Sequence, residues 1–207
     1  MLNRFKNLNI RLKMLSGIAV VGVLMLTIGG MSMVGMSRLN ANAEFIYKTN
    51  LHGVTIMSDL RAQMLRRSNL VVWHILATDS ARMAELEQGI IELDKEIERQ
   101  LEKYAPLIAT EEEWKIFESF KAGVPEYMEI RKKMLQLSKN HSKDAAAEMQ
   151  KTDLTEKVKV LNSTVEWLVK ENSRQAEESY NTGHDLNVTS NWLMVLTILA
   201  AAGIGAF

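Results

Sequence analysis

The 207-residue chain contains no cysteine, which excludes disulfides, thiolate metal sites and cysteine nucleophiles together. Two prolines and eleven glycines among abundant Leu, Met, Ala, Glu and Lys favour long helices over strands. The formal net charge is zero, yet five basic residues precede the first acid, Glu44, and none follows the last, Asp185; the stretch between is net acidic, and without a clustered basic face nucleic acid is set aside as a partner.

At the N-terminus, Arg4, Lys6, Arg11 and Lys13 occur without an acid, so the positive-inside rule predicts a cytoplasmic segment over residues 1–13. Met14 to Met36 runs 23 residues without a charge. At ~1.5 Å per residue that length crosses a ~30 Å hydrocarbon core, and a first transmembrane helix is predicted over 14–36. Ala41-Asn42-Ala43 resembles a signal-cleavage site, but the apolar stretch exceeds the ~7–15 residues of a signal sequence, so an uncleaved anchor is expected. Residues 37–191 then lie outside the inner membrane.

Within that stretch the sequence predicts an all-α, antiparallel up-down four-helix bundle. Helix one is expected from about Asn40 to Ala77; Thr78-Asp79-Ser80 holds N-cap residues that start helix two, which ends at Tyr104-Ala105-Pro106. Thr110 with Glu113 forms a capping-box pattern opening helix three, which carries Pro125 and closes at Ser138–His141. Ser142 is expected to cap a fourth helix running uninterrupted into Trp192. Met83, Leu86, Ile90, Leu93, Ile97, Leu101 and Tyr104 trace a three-four stripe, as do Leu154, Val158, Leu161, Val165 and Leu168. Short connections force antiparallel neighbours and bring both ends of the bundle to one side. From Trp192 to Phe207 the chain is again apolar for 16 residues, short of the ~20 needed to cross, and reads as a second transmembrane helix cut short at 207.

The phrase Asn9-Ile10-Arg11-Leu12-Lys13-Met14-Leu15 leading into a glycine-bearing span, then Ser37-Arg38-Leu39-Asn40 and Leu60-Arg61-Ala62-Gln63-Met64-Leu65-Arg66-Arg67, resembles the front end of methyl-accepting chemotaxis receptors. The resemblance implies a homodimer whose first helices pack together, with a small-molecule ligand between helices at the interface. It also implies a fourth helix that shifts along its axis and biases, through the second span, a cytoplasmic chemotaxis kinase. Histidine kinases and diguanylate cyclases borrow similar front ends, in which the bundle is a dimerising spacer or docking module without a ligand.

Helix one carries two apolar seams, Met57, Leu60, Met64 and Val71 on one, and Val54, Leu65, Val72 and Ile75 on the other. Arg61 falls on the second seam, Arg67 on the first, and Arg66 nearer the polar side with Asp59 and Gln63. Arginine suits bidentate recognition of a carboxylate, so Arg61, Arg66 and Arg67 are the candidate ligand-binding residues, with Thr155 on helix four as a weaker addition. The competing reading is that the arginines snorkel to water or pair with nearby acids. Amino-acid-sensing members of the resembled family carry three arginines here; Arg61 and Arg66 match the first two, but the third falls on Leu70, which leaves small organic acids as the expected class. Trp73 and His74 are read as packing residues. His52, His74, His141 and His184 form no metal motif and no phosphate loop occurs, so neither catalysis nor a cofactor is expected. Glu92, Asp94, Glu96 and Glu98 are read as a solvated face paired with Lys95 and Arg99.

Overall fold

The computed structural model describes residues 9–205. Helix α1 spans Ile10–Phe45 and passes through a π turn, Ile46–Leu51, into α2, His52–Leu76; α3 spans Ser80–Tyr104, a 3-10 turn Ala105–Leu107 follows, and α4 spans Glu111–Lys139. Helix α5, Lys143–Met149, leads through a second π turn, Gln150–Leu154, into the long α6, Thr155–Gly205. Two compact units result: residues 46–176 form one, and residues 9–45 with 177–205 form the other.

Local chemistry explains the boundaries. The Asp79 carboxylate accepts from the Ala81 and Arg82 amides and starts α3, as the sequence indicates. The Thr110 hydroxyl accepts from the Glu113 amide at 3.1 Å and starts α4. Pro125 is accommodated inside α4, which continues to Lys139. Two expectations are corrected. Ser142 makes no side-chain cap; His141 adopts φ 60° and the Ser142 amide donates back to the Leu137 carbonyl, a Schellman closure of α4. The fourth helix is not uninterrupted either, because the π turn at Gln150–Leu154 inserts an extra residue between α5 and α6.

In the 46–176 unit each helix turns one apolar stripe inward. Met57, Leu60, Met64 and Val71 of α2 meet Ile90 and Ile97 of α3, Phe117, Phe120 and Tyr127 of α4, and Leu161, Val165 and Leu168 of α6. The up-down order is set out by three buried polar clusters at three heights. Asn50, Tyr104, Glu113 and Asn172 share one end, Arg67, Asp94 and Arg131 the middle, and His74, Glu87 and Ser138 the other end. Four alternating helices bring these sequence positions together; no parallel arrangement would.

In the other unit, α1 packs beside the end of α6, with Gly35 and Gly183 at close approaches to Ser190, and to Asn42 and Leu39. Among the described residues one helical run, the one beginning at Ile10, is long and apolar enough to cross a membrane. Its large side chains face outward, Leu26 being 78% exposed. Residues 1–8 of the expected cytoplasmic segment, and Ala206 and Phe207 of the expected second span, lie outside the described residues.

Candidate functional site

Helix α2 presents two different faces. Its inner face buries Ile56, Met57, Leu60, Met64, Val71 and Ile75, so the first predicted seam faces the core and Ile75 of the second joins it. Its outer face leaves Leu65 62%, Trp73 59% and Leu76 64% exposed, with Val72 and Leu51 also open to solvent. Leu65, Val72 and Leu76 recur at helical spacing, so the second half of α2 carries an exposed apolar strip without a partner among the described residues, while Ser58 separates it from Leu51. Arg61 lies exposed on this helix, close enough to α6 to act on Glu166, whose carboxyl is held below the usual range first by its bond to Lys170 and then by Arg61. Arg66 is exposed as well.

The other two predicted residues are placed differently. Arg67 is 4% exposed and its Nη1 donates to Asp94 Oδ1 at 2.9 Å. Thr155 faces solvent, and its hydroxyl donates to the Gln150 carbonyl at 2.6 Å, closing the π turn. It precedes Glu166, the α6 residue that feels Arg61, by eleven residues, or about 16 Å along a helix. Arg61 and Arg66 are thus both exposed on α2 but about 140° apart around it, Arg67 is taken inside, and Thr155 lies far along α6.

Asp94 corrects the expectation of a wholly solvated acidic face. It faces inward and receives Arg67 together with Arg131, whose Nη1 and Nη2 reach its two oxygens at 2.8 and 2.5 Å. Glu96 and Arg99 do form the expected ion pair nearer the surface. The Tyr127 ring lies against both guanidiniums, 4.3 Å from Arg67 and 5.3 Å from Arg131. Burial by itself opposes charge on Arg131, but Asp94 and Tyr127 outweigh it, and its pKa is raised. Two cations thus share one carboxylate inside the bundle.

Glu113, fully buried, is the hub of a second cluster. Its Oε1 accepts from Tyr104 Oη at 2.5 Å and Asn172 Nδ2 at 2.9 Å, its Oε2 from the Ala109 amide at 3.0 Å and Gln175 Nε2 at 3.2 Å. Burial first, then Glu113, pushes the Tyr104 phenol far up, so it remains a donor. Asn50, at the π turn, donates to Gln175 and ties the start of α2 to α6. Gly53 makes room for this cluster: a Cβ there would lie 2.3 Å from Asn172 Oδ1.

At the opposite end His74, with no exposed surface, is held between Ser138 and Glu87. One proton arrangement satisfies every group. Lys143 donates to the His74 carbonyl and to Ser138 Oγ, Ser138 donates to His74 Nδ1, and Nε2–H donates to Glu87. Burial lowers the His74 pKa, with Lys143 and Lys139 adding to the effect and Glu87 opposing it. A depressed folded-state pKa means that the unfolded chain takes up the proton first. Stability is therefore complete above the ordinary imidazole value of 6.5 and declines as pH falls below it. Thermal unfolding between pH 7.5 and 5.5 is expected to show a falling Tm that flattens in His74→Asn; an equal slope in the variant would assign the loss to other groups.

Among the described residues no cluster of potential metal ligands occurs. Asp94, Arg131, Glu113 and Asn172, all missed as functional candidates in the sequence, carry most of the buried polar chemistry. Residues 7–186 match the family described as "Four helix bundle sensory module for signal transduction". Over 121 residues the chain is 22% identical to the "Putative sensory transducer protein YvaQ" of Bacillus subtilis (strain 168), a match covering 58% of this chain and 21% of that protein. The chain thus spans about a fifth of the length of the curated relative it matches. The helix order, the inward stripes and the match over 7–186 agree: this chain belongs to the four-helix-bundle sensory modules for signal transduction, a non-catalytic sensor family.

Proposed function

We propose that the chain is the sensing front end of a transmembrane chemoreceptor in the inner membrane, with residues 37–191 outside the cytoplasm. The observation carrying this reading is the outer face of α2, where Leu65, Val72 and Leu76 lie exposed beside Arg61. Two copies packed along this strip form a parallel homodimer, and a small solute such as an organic acid binds at the seam through Arg61 and Arg66. Helix α6, continuous from Thr155 to Gly205, carries the response toward a second span and a cytoplasmic output that controls a chemotaxis kinase. The length and exposure of the apolar run in α1 support the membrane anchor.

The test is a thermal-shift screen of the full chain in detergent against small organic acids, in parent and Arg61→Ala. Arg61 is exposed, so the unliganded variant should melt like the parent. A ligand at a hundred times its Kd stabilises the folded state by about 2.7 kcal/mol, a shift of several degrees. One acid is expected to stabilise the parent and not the variant. If no acid shifts either protein, the bundle acts instead as a dimerising spacer or docking module of a kinase or cyclase.

A further inference from the structure

Between α3 and α4 runs an open groove of ≈ 660 Å³, whose inner end is formed by Arg67 and Asp94. Leu101, Trp114, Phe117 and Met128 supply apolar walls, and Lys95, Lys121, Glu98 and Glu102 line it with offsetting charges. A neighbouring groove of ≈ 510 Å³ reaches Arg131 and shares Ile91 and Met128 with the first. The two openings therefore approach the same buried group of charges from two sides.

That group is electrically incomplete. Arg67 and Arg131 both bind Asp94, which leaves one cationic charge in excess in a mostly buried position. The Arg67 Nε–H has no acceptor among the described residues. The Tyr127 face attracts both guanidiniums but carries no full charge. An excess charge held on two largely buried guanidiniums is unfavourable, and a single anion entering the groove would relieve it. One negative charge matches the excess, and the offsetting Lys95, Lys121, Glu98 and Glu102 add no net charge along the groove. The walls ask for an apolar, preferably aromatic, body: Trp114 and Phe117 lie 5.9 Å apart at 45°, and Trp114 is 46% exposed.

We propose that the α3–α4 groove is a binding site, contained in one protomer, for an amphipathic monocarboxylate, its carboxylate directed to the Arg67–Arg131 pair and its apolar body against Trp114 and Phe117. This site is separate from the outer face of α2 and does not require a second copy.

The experiment is calorimetric titration of the full chain in lipid nanodiscs with phenylacetate and with its uncharged analogue phenylacetamide, empty nanodiscs correcting for partition into lipid. Removing Arg67 itself risks unfolding the bundle, so the groove is instead filled from its rim by Met128→Trp. Met128 is 41% exposed and lines both openings, so the variant should melt like the parent. Phenylacetate is expected to bind the parent at least about tenfold more tightly than phenylacetamide, and Met128→Trp to weaken it by a similar factor. Equal affinities for acid and amide, equal affinities of parent and variant, or heats no larger than those of empty nanodiscs at millimolar phenylacetate would each overturn the proposal. Binding lost in Arg61→Ala but retained in Met128→Trp would do so too, by placing the carboxylate on the α2 face.

Discussion

Glu113→Ala is expected to lower the unfolding free energy of this protein by about 4 kcal/mol, while Glu113→Gln costs roughly half as much. Glu113 has no exposed surface, and its two oxygens accept from four donors on two helices and the turn before α4. Removing the carboxylate orphans Tyr104 Oη, the Ala109 amide and the side-chain amides of Asn172 and Gln175 at once. Each buried donor left without an acceptor costs about 1–3 kcal/mol, and partial rearrangement of the two amides keeps the total below the simple sum. Glutamine preserves the shape but turns one NH2 toward groups that are themselves donors, so part of the penalty returns. Urea unfolding of parent and both variants measures the ranking. A loss below about 1 kcal/mol for the alanine variant would show that the cluster is open to water rather than dry.

The order of the helices and most of their limits were legible in the sequence because caps and apolar periods are local signals. Asp79 and Thr110 cap as their neighbours indicate, and the stripes from Met83 and from Leu154 largely point inward. The buried polar groups were harder to see, since a charge in a charge-rich run reads as solvated. Asp94 stands among Glu92, Lys95, Glu96 and Glu98, yet it also lies four residues after Ile90 and three before Ile97, on the apolar seam itself. Arg131 has the same relation to Tyr127 and Met134, and Asn172 follows Leu168 by four. Register on the seam, more than residue type, marks these side chains as interior. What no pattern within one helix provides is the partner: that Asp94 receives Arg67 and Arg131 depends on three helices meeting at one height. The π turns were equally hidden, as they leave no signature comparable to a cap or a proline.

That meeting point gives the second large effect. Asp94→Ala is expected to destabilise the protein by about 3–5 kcal/mol, because it leaves two guanidiniums facing one another beside Tyr127 without the carboxylate that separates them. Burial alone disfavours the charge on Arg131, and Asp94 is a principal reason its pKa nevertheless stays raised. A triple variant, Arg67→Met, Asp94→Leu and Arg131→Met, replaces all three groups by apolar side chains of comparable size and is expected to unfold within about 1 kcal/mol of the parent or later. The two results together separate the cost of an unpaired charge from the net worth of the cluster. Near-neutrality of the triple variant would mean that stability alone does not require two arginines on one aspartate at the inner end of an open groove. Such a cluster is then better explained by what its excess cation can hold. If the triple variant were as unstable as Asp94→Ala, the cluster would instead be a structural strut, its geometry too well satisfied for apolar packing to replace.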